Sequence, residues 1–168
     1  MVRSPVNSYQ NGTRRTWPAT LWSLGRICGR TVGCVQLNED SIFVGAPRFA
    51  ERGAVLVYRR EGSQWRVDQI VKGLSDQENH FGAFMSLDRD NLVVGRVPHY
   101  DPAGFKAVGT ANVYRLQNSK WEHFQVLKTP EPFPQQYTGT VVAAKDDTVF
   151  YLSCENKGAD AVYAFELQ

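Results

Sequence analysis

The chain says nearly the same thing three times. The stretch TVGCVQLNEDSIFVGAP (31–47) returns as HFGAFMSLDRDNLVVG (80–95) and, more loosely, as YTGTVVAAKDDTVFYLS (137–153). Three markers recur in step. A glycine opens each apolar stretch, at Gly33, Gly82 and Gly139, spaced 49 and 57 residues apart. An aromatic closes a later valine-rich run at Tyr58, Tyr114 and Phe165, spaced 56 and 51. A tryptophan stands at Trp17, Trp65 and Trp121, and the next repeat glycine follows each by 16, 17 and 18 residues. Tyr9 precedes Trp17 by 8 residues, close to the 7 separating Tyr58 from Trp65 and Tyr114 from Trp121, so the N-terminal stretch reads as in phase too. Such a period constrains the architecture before any other feature, because one unit cannot bury its own faces and needs neighbours.

Each unit reads as short antiparallel strands. GAFMSLD meets a tight turn in DRDNL and then LVVG; the other two turns, NED and KDD, are equally rich in residues that favour tight turns. GAVLVYRR or GTANVYRL follows, then a turn (EGS, QNS) and a strand opening on tryptophan, WRVDQIV or WEHFQVL. Runs of 4–8 residues rich in Val, Tyr, Phe and Trp, punctuated this often, indicate hairpins. No stretch sustains a helical period. About 50 residues and four strands per unit is the size of a propeller blade. The expected fold is all-β, a β-propeller-like array of about three four-stranded antiparallel blades, with units at 32–71, 81–127 and 138–168 and N-terminal strands within 6–24, in one domain spanning 1–168. Trp65 and Trp121 are expected to pack against a neighbouring sheet.

Composition narrows the classes. At 168 residues, with 42% hydrophobic and 21% charged side chains, the chain can bury one sizeable core. No apolar run reaches the length of a membrane span. The opening MVRSPVNSYQ lacks the apolar centre of a secretory signal, which leaves a cytosolic protein, or a Met1 that is not the native start of a longer secreted product. Net charge is +2, but residues 1–66 hold 10 Lys/Arg against 4 Asp/Glu (+6), and residues 67–168 hold 9 against 13 (−4). No basic run with interleaved aromatics is present, so nucleic acid is not an expected partner. Three cysteines, Cys28, Cys34 and Cys154, can form at most one disulfide, and they lack zinc-site spacing; they read as small buried residues.

The phrases Phe81-Gly82 and Val44-Gly45-Ala46-Pro47, followed by GAVLVYRREGSQW, resemble the FG-GAP repeats of integrin alpha-chain propellers and their bacterial relatives. The resemblance runs over about residues 9–168. It is specific over VGAPRFAERGAVLVYRREGSQW and weak in the third unit. Val32 and Thr138 replace the phenylalanine in the first and third units, and Gly95-Arg96-Val97 and Leu152-Ser153-Cys154 the Gly-Ala-Pro in the second and third, so the best unit combines the Phe-Gly of one repeat with the Gly-Ala-Pro of another. It implies a propeller that binds proteins, an extracellular setting and, in many members, calcium held between the first two strands. That last property is not carried over: the turns holding Asp40, Asp90 and Asp147 are too short to wrap an ion that wants 6–8 oxygens. These carboxylates read as solvated turn residues. No cofactor or metal is expected.

No nucleophile elbow, phosphate-binding loop or zinc helix motif is present, and His80, His99 and His123 have no ligand-like spacing. His123 reads as a surface strand residue. One irregularity points to recognition. Gly45 to Tyr58 is 13 residues but Gly95 to Tyr114 is 19, and the extra six fall in RVPHYDPAGFKAVG. That loop carries His99, Tyr100, Asp101, Phe105 and Lys106. In an up-and-down blade it projects from the same side as KGLSDQENH, with Asp76, Glu78 and His80, and in the family that side resembles the ligand-binding face. The expected function is a non-enzymatic binding or assembly module. The alternatives are a secreted adhesion or carbohydrate-binding propeller fragment, and a hydrolase using loop acids such as Asp76 and Asp101. The expected partner is a protein, or a second copy joined head to tail through open blade edges with the +6 and −4 halves assisting.

Overall fold

The computed structural model describes residues 7–10, 13–16, 33–74, 80–96, 109–129, 137–154 and 161–167. Among the described residues the regular structure is β, apart from a 3-10 turn at Phe49–Glu51. An N-terminal hairpin pairs β1 (Asn7–Gln10) with β2 (Thr13–Thr16). Sheet 1 follows as a simple meander of β3 (Val35–Leu37), β4 (Ser41–Ala46), β5 (Ala54–Glu61) and β6 (Gln64–Val71). Sheet 2 repeats that order with β7 (Phe84–Asp88), β8 (Asn91–Arg96), β9 (Thr110–Gln117) and β10 (Lys120–Leu127). Sheet 3 has three strands, β11 (Tyr137–Lys145), β12 (Thr148–Cys154) and β13 (Ala161–Glu166). No helix among the described residues is long and apolar enough to cross a membrane.

The repeat seen in the sequence is a repeat in hydrogen bonding. In each first turn an aspartate carbonyl accepts from the third strand of its own sheet: Asp40 from the N–H of Arg60 (3.2 Å), Asp90 from Leu116 (2.9 Å) and Asp147 from Leu167 (2.7 Å). Arg89 and Asp146, at equivalent turn positions, both take left-handed backbone with φ of 51° and 54°. The third and fourth strands carry the same bulge in sheets 1 and 2, with Asp68 and Phe124 as the unpaired extra residues. A bulge sharpens local twist, so the outer strands of both sheets bend alike.

Strand alternation gives each sheet two apolar faces, one towards the preceding sheet (leading) and one towards the following (trailing). The trailing face of sheet 1 (Phe43, Val55, Val57, Val71) meets the leading face of sheet 2 (Met85, Leu92, Val94, Tyr114, Trp121) in one buried layer. The trailing face of sheet 2 (Val93, Ala111, Val113, Leu127) meets Val149, Leu167 and the half-buried Val142, Ala144, Tyr163 and Phe165 of sheet 3 in a second. The leading face of sheet 1 (Val44, Ala46, Leu56, Tyr58) is buried as well, with Ile42, Phe49 and Trp65 packed on it.

Phe81 and Gly82 join the first two sheets. Phe81 is fully buried, with its ring 6.0 Å from that of Tyr114 in an edge-on arrangement, and its N–H donates to the Arg52 carbonyl. Gly82 has φ of +87°, and a Cβ there would sit 2.5 Å from the Ala54 carbonyl oxygen; a Cβ on Gly45 would sit 1.9 Å from the Gly82 oxygen. The phenylalanine and glycine of one unit thus seat against the glycine-alanine corners of the unit before it, where any side chain would force the backbones apart. The two halves of the sequence phrase are two sides of one contact.

Three expectations need correction. The third unit is three-stranded rather than four-stranded among the described residues, because β13 pairs only with β12. The N-terminal phase is also different. Tyr9 stands opposite Arg14, as Arg60 stands opposite Trp65 and Leu116 opposite Trp121, so Tyr9 does not hold the register position of Tyr58 and Tyr114; Trp17 lies outside the described residues. His123 is not a surface residue but half-buried on the leading face of sheet 2, its ring edge-on to Tyr114 at 5.4 Å. Of the tryptophans, Trp121 is 4% exposed and edge-on to Phe43 across the sheet junction, whereas Trp65 is half-buried on the leading face of sheet 1.

Candidate functional site

The loop-side candidate is only partly within the described residues. His99, Tyr100, Asp101, Phe105, Lys106, Asp76 and Glu78 lie outside them. His80 is described: it is half-buried, has φ of 60°, and its carbonyl accepts the N–H of Ala83 at 3.1 Å. It immediately precedes the Phe81–Gly53 bridge, so the connection into sheet 2 runs beside the loop that follows β4. Position 80 is set by that backbone junction.

The turn side has two polar clefts, of about 300 Å³ between sheets 1 and 2 and about 330 Å³ between sheets 2 and 3. The first is lined by Glu39, Asp40, Arg59, Arg89 and Trp121 among others. Around the second, the turns of sheets 2 and 3 are stitched together. Arg89 bonds the Asp146 carboxylate, the Asp146 N–H donates to Asp88 Oδ2 at 2.6 Å, and the Ala144 N–H donates to Ser86 Oγ at 2.9 Å. Asn91 Nδ2 donates to the Asp146 carbonyl at 3.3 Å and accepts from Arg115 Nε through Oδ1 at 3.3 Å. These groups spend their hydrogen bonds on one another, which is the chemistry of a structural seam. Among the described residues no group of three or more His, Cys, Asp or Glu is arranged to hold a metal ion.

Among the described residues, two titratable groups with displaced protonation, Cys34 and His123, also sit in sheet junctions. Burial pushes the Cys34 thiol above its ordinary value, and Sγ lies 3.8 Å from the Met85 carbonyl of the next sheet. A protonated, half-covered thiol is a poor nucleophile. Burial pushes His123 below its ordinary value, with a backbone hydrogen bond at Gln125 partly opposing it, so the imidazole is neutral near pH 7.

What remains open is the trailing face of sheet 3. Register places Val141, Ala143 and Lys145 on β11 beside Phe150 and Thr148 on β12 and Val162, Ala164 and Glu166 on β13. Val141 is 55% exposed, Phe150 41% and Val162 67%. Phe43 and Val55, the sheet 1 equivalents of Phe150 and Val162, are fully buried, as are Val93 and Ala111 of sheet 2. The two positions of Phe150 and Val162 hold sheet to sheet twice in the molecule and are in solvent the third time. Sequence reasoning expected unsatisfied surface at both ends. At the other end the leading face of sheet 1 is closed at its centre, at Val44, Leu56 and Tyr58, while Val35 and Leu37 on its innermost strand and Val67 and Ile70 on its outermost strand are exposed. The signal that locates the open face is the repeat alignment itself, read for which copy of an interface position lacks a neighbour.

No family model matches the chain, and no curated protein matches it.

Proposed function

We propose that the chain is a non-enzymatic assembly and binding module built on a partial propeller of FG-GAP type, and that it works by joining further sheets to its own. The propeller reading is supported by the meander order shared by sheets 1 and 2, by the serial face-to-face layers, and by the seating of Phe81-Gly82 against Gly45 and Gly53. The assembly reading is carried by one observation: Phe150 and Val162 are exposed where their repeat equivalents, Phe43 and Val55 in sheet 1 and Val93 and Ala111 in sheet 2, form core, with the exposed Val141 beside them. Each large aliphatic or aromatic side chain moved from water to a packed interior contributes about 1.5–3 kcal/mol, so this face favours a covering surface. Light scattering on the purified chain tests the reading. A mass rising with concentration above the 18.9 kDa of one chain is expected; a constant single-chain mass would contradict it.

A second reading, binding of carbohydrate, is favoured by Asn38, Glu39, Asp40 and Arg59, which line the first turn-side cleft together with Trp121. Binding on a glycan array that is lost on Arg59→Ala would select it.

A further inference from the structure

Resting on the assembly reading, we propose that the trailing face of sheet 3 pairs with the same face of a second copy, about a two-fold axis running along β12. The layout of the face has the symmetry such a pairing needs. With β12 in the middle, register sets Val141 and Val162 at one level on the two flanking strands, Ala143 and Ala164 with Phe150 between them at the next, and Lys145 and Glu166 with Thr148 between them at the third. The face is therefore matched in size about its central strand, valine to valine and alanine to alanine, and opposite in charge at its polar end.

A two-fold axis along β12 exchanges the two flanking strands between copies. Val141 then faces Val162 of the second copy, Ala143 faces its Ala164, Phe150 lies near its own equivalent, and Lys145 faces Glu166 twice over. That is the condition for an isologous interface, in which residue i meets j and j meets i. Two sheets packed this way keep their strand directions within about 30° of each other, the aligned class of sheet packing. The alternative occupant, the leading face of sheet 1 from a second copy, is buried at its centre, where Leu56 and Tyr58 are 0% and 2% exposed, and presents Val35, Leu37, Val67 and Ile70 on its two flanking strands, split by that closed centre. Lys145 rests 4.0 Å from Asp88 and 3.9 Å from Asp146 in the single chain, on a side chain 71% exposed. Contacts that long on an exposed side chain are weak, so it is able to turn towards a new partner.

Charge reversal separates this geometry from any other route to self-association. Sedimentation velocity would be run across the micromolar range on the wild type, Lys145→Glu, Glu166→Lys and the double variant, with circular dichroism to verify folding. Each single variant sets like charges against each other at two symmetric places, and weakens dimerisation by about ten-fold or more. The double variant rebuilds both pairs with reversed sign and regains the wild-type association. A wild-type dimer indifferent to both single variants, or weakened by them and not restored by the double variant, overturns the two-fold pairing and leaves the assembly reading standing. A wild-type monomer throughout overturns both.

Discussion

At position 112 the repeat asks for an aliphatic side chain and the chain supplies an amide. Asn112 pairs with Val94 as Leu56 pairs with Val44, and it is 0% exposed. Neither its Oδ1 nor its Nδ2 has a hydrogen-bond partner among the described residues. A buried polar group left unpaired costs about 1–3 kcal/mol. Asn112→Leu, which restores the residue of the preceding unit, is therefore expected to raise stability in urea unfolding by about 1–2 kcal/mol after some repacking strain; a loss would show that the amide is used. His123 makes a pH prediction of definite sign. Its folded value lies below the ordinary one of about 6.5, so above that pH it is neutral in both states and contributes no slope. As pH falls through about 6.5 the unfolded chain takes up the proton first and stability drops, until the folded value is reached. The thermal midpoint should decline from pH 7 towards 5, and His123→Gln should flatten that decline. An equal slope in both proteins would contradict the burial argument.

Between elements, the junctions combine apolar layers with a few directed bonds. Gln69 on β6 donates from Nε2 to the Trp121 carbonyl at 2.8 Å and accepts the Trp121 N–H through Oε1 at 2.9 Å. One amide thus satisfies both backbone groups at the start of β10, the outer strand of sheet 2. Tyr114 adds a bond from its hydroxyl to the Lys72 carbonyl at 2.9 Å. Gln125 stands at the register position of Gln69, opposite Val113 as Gln69 stands opposite Val57, and it is exposed beside a sheet that has no fourth strand among the described residues. The two glutamines should therefore respond differently. Gln69→Ala leaves two edge groups unpaired and is expected to cost about 1–3 kcal/mol. Gln125→Ala, at a surface position, should change stability by no more than about 0.5 kcal/mol. Equal effects in urea unfolding would mean that the amide clamp contributes nothing. These elements were largely legible from the sequence: turn residues and alternation placed the strands of sheets 1 and 2, and the glycines marked the corners where units touch. What spacing misplaced was Tyr9, which stands one residue before the end of its strand where Tyr58 and Tyr114 stand three before the ends of theirs.

For the molecule as a whole, the repeat predicted serial sheets and incomplete ends, but it gave no means of telling the ends apart. The alternation of β4 and β5 marks a leading face as plainly as that of β12 and β13 marks a trailing one; which of them is covered depends on tertiary packing that no local pattern encodes. His123 was misread for the same reason, since a strand's alternation tells which residues share a face and not whether the polar-looking face meets another sheet. The loop of His99 to Lys106 remains a sequence reading outside the described residues. The central claim is that the open face of sheet 3 is an assembly surface, and Val162, 67% exposed at its edge, is the residue through which to test it. The most direct measurement compares the sedimentation of the wild-type chain with that of Val162→Glu at the same concentration. The prediction is a wild-type species larger than one chain and a Val162→Glu species of single-chain size, with the thermal midpoint of the variant monomer close to that of dilute wild type. An identical sedimentation coefficient for the two proteins would contradict the account.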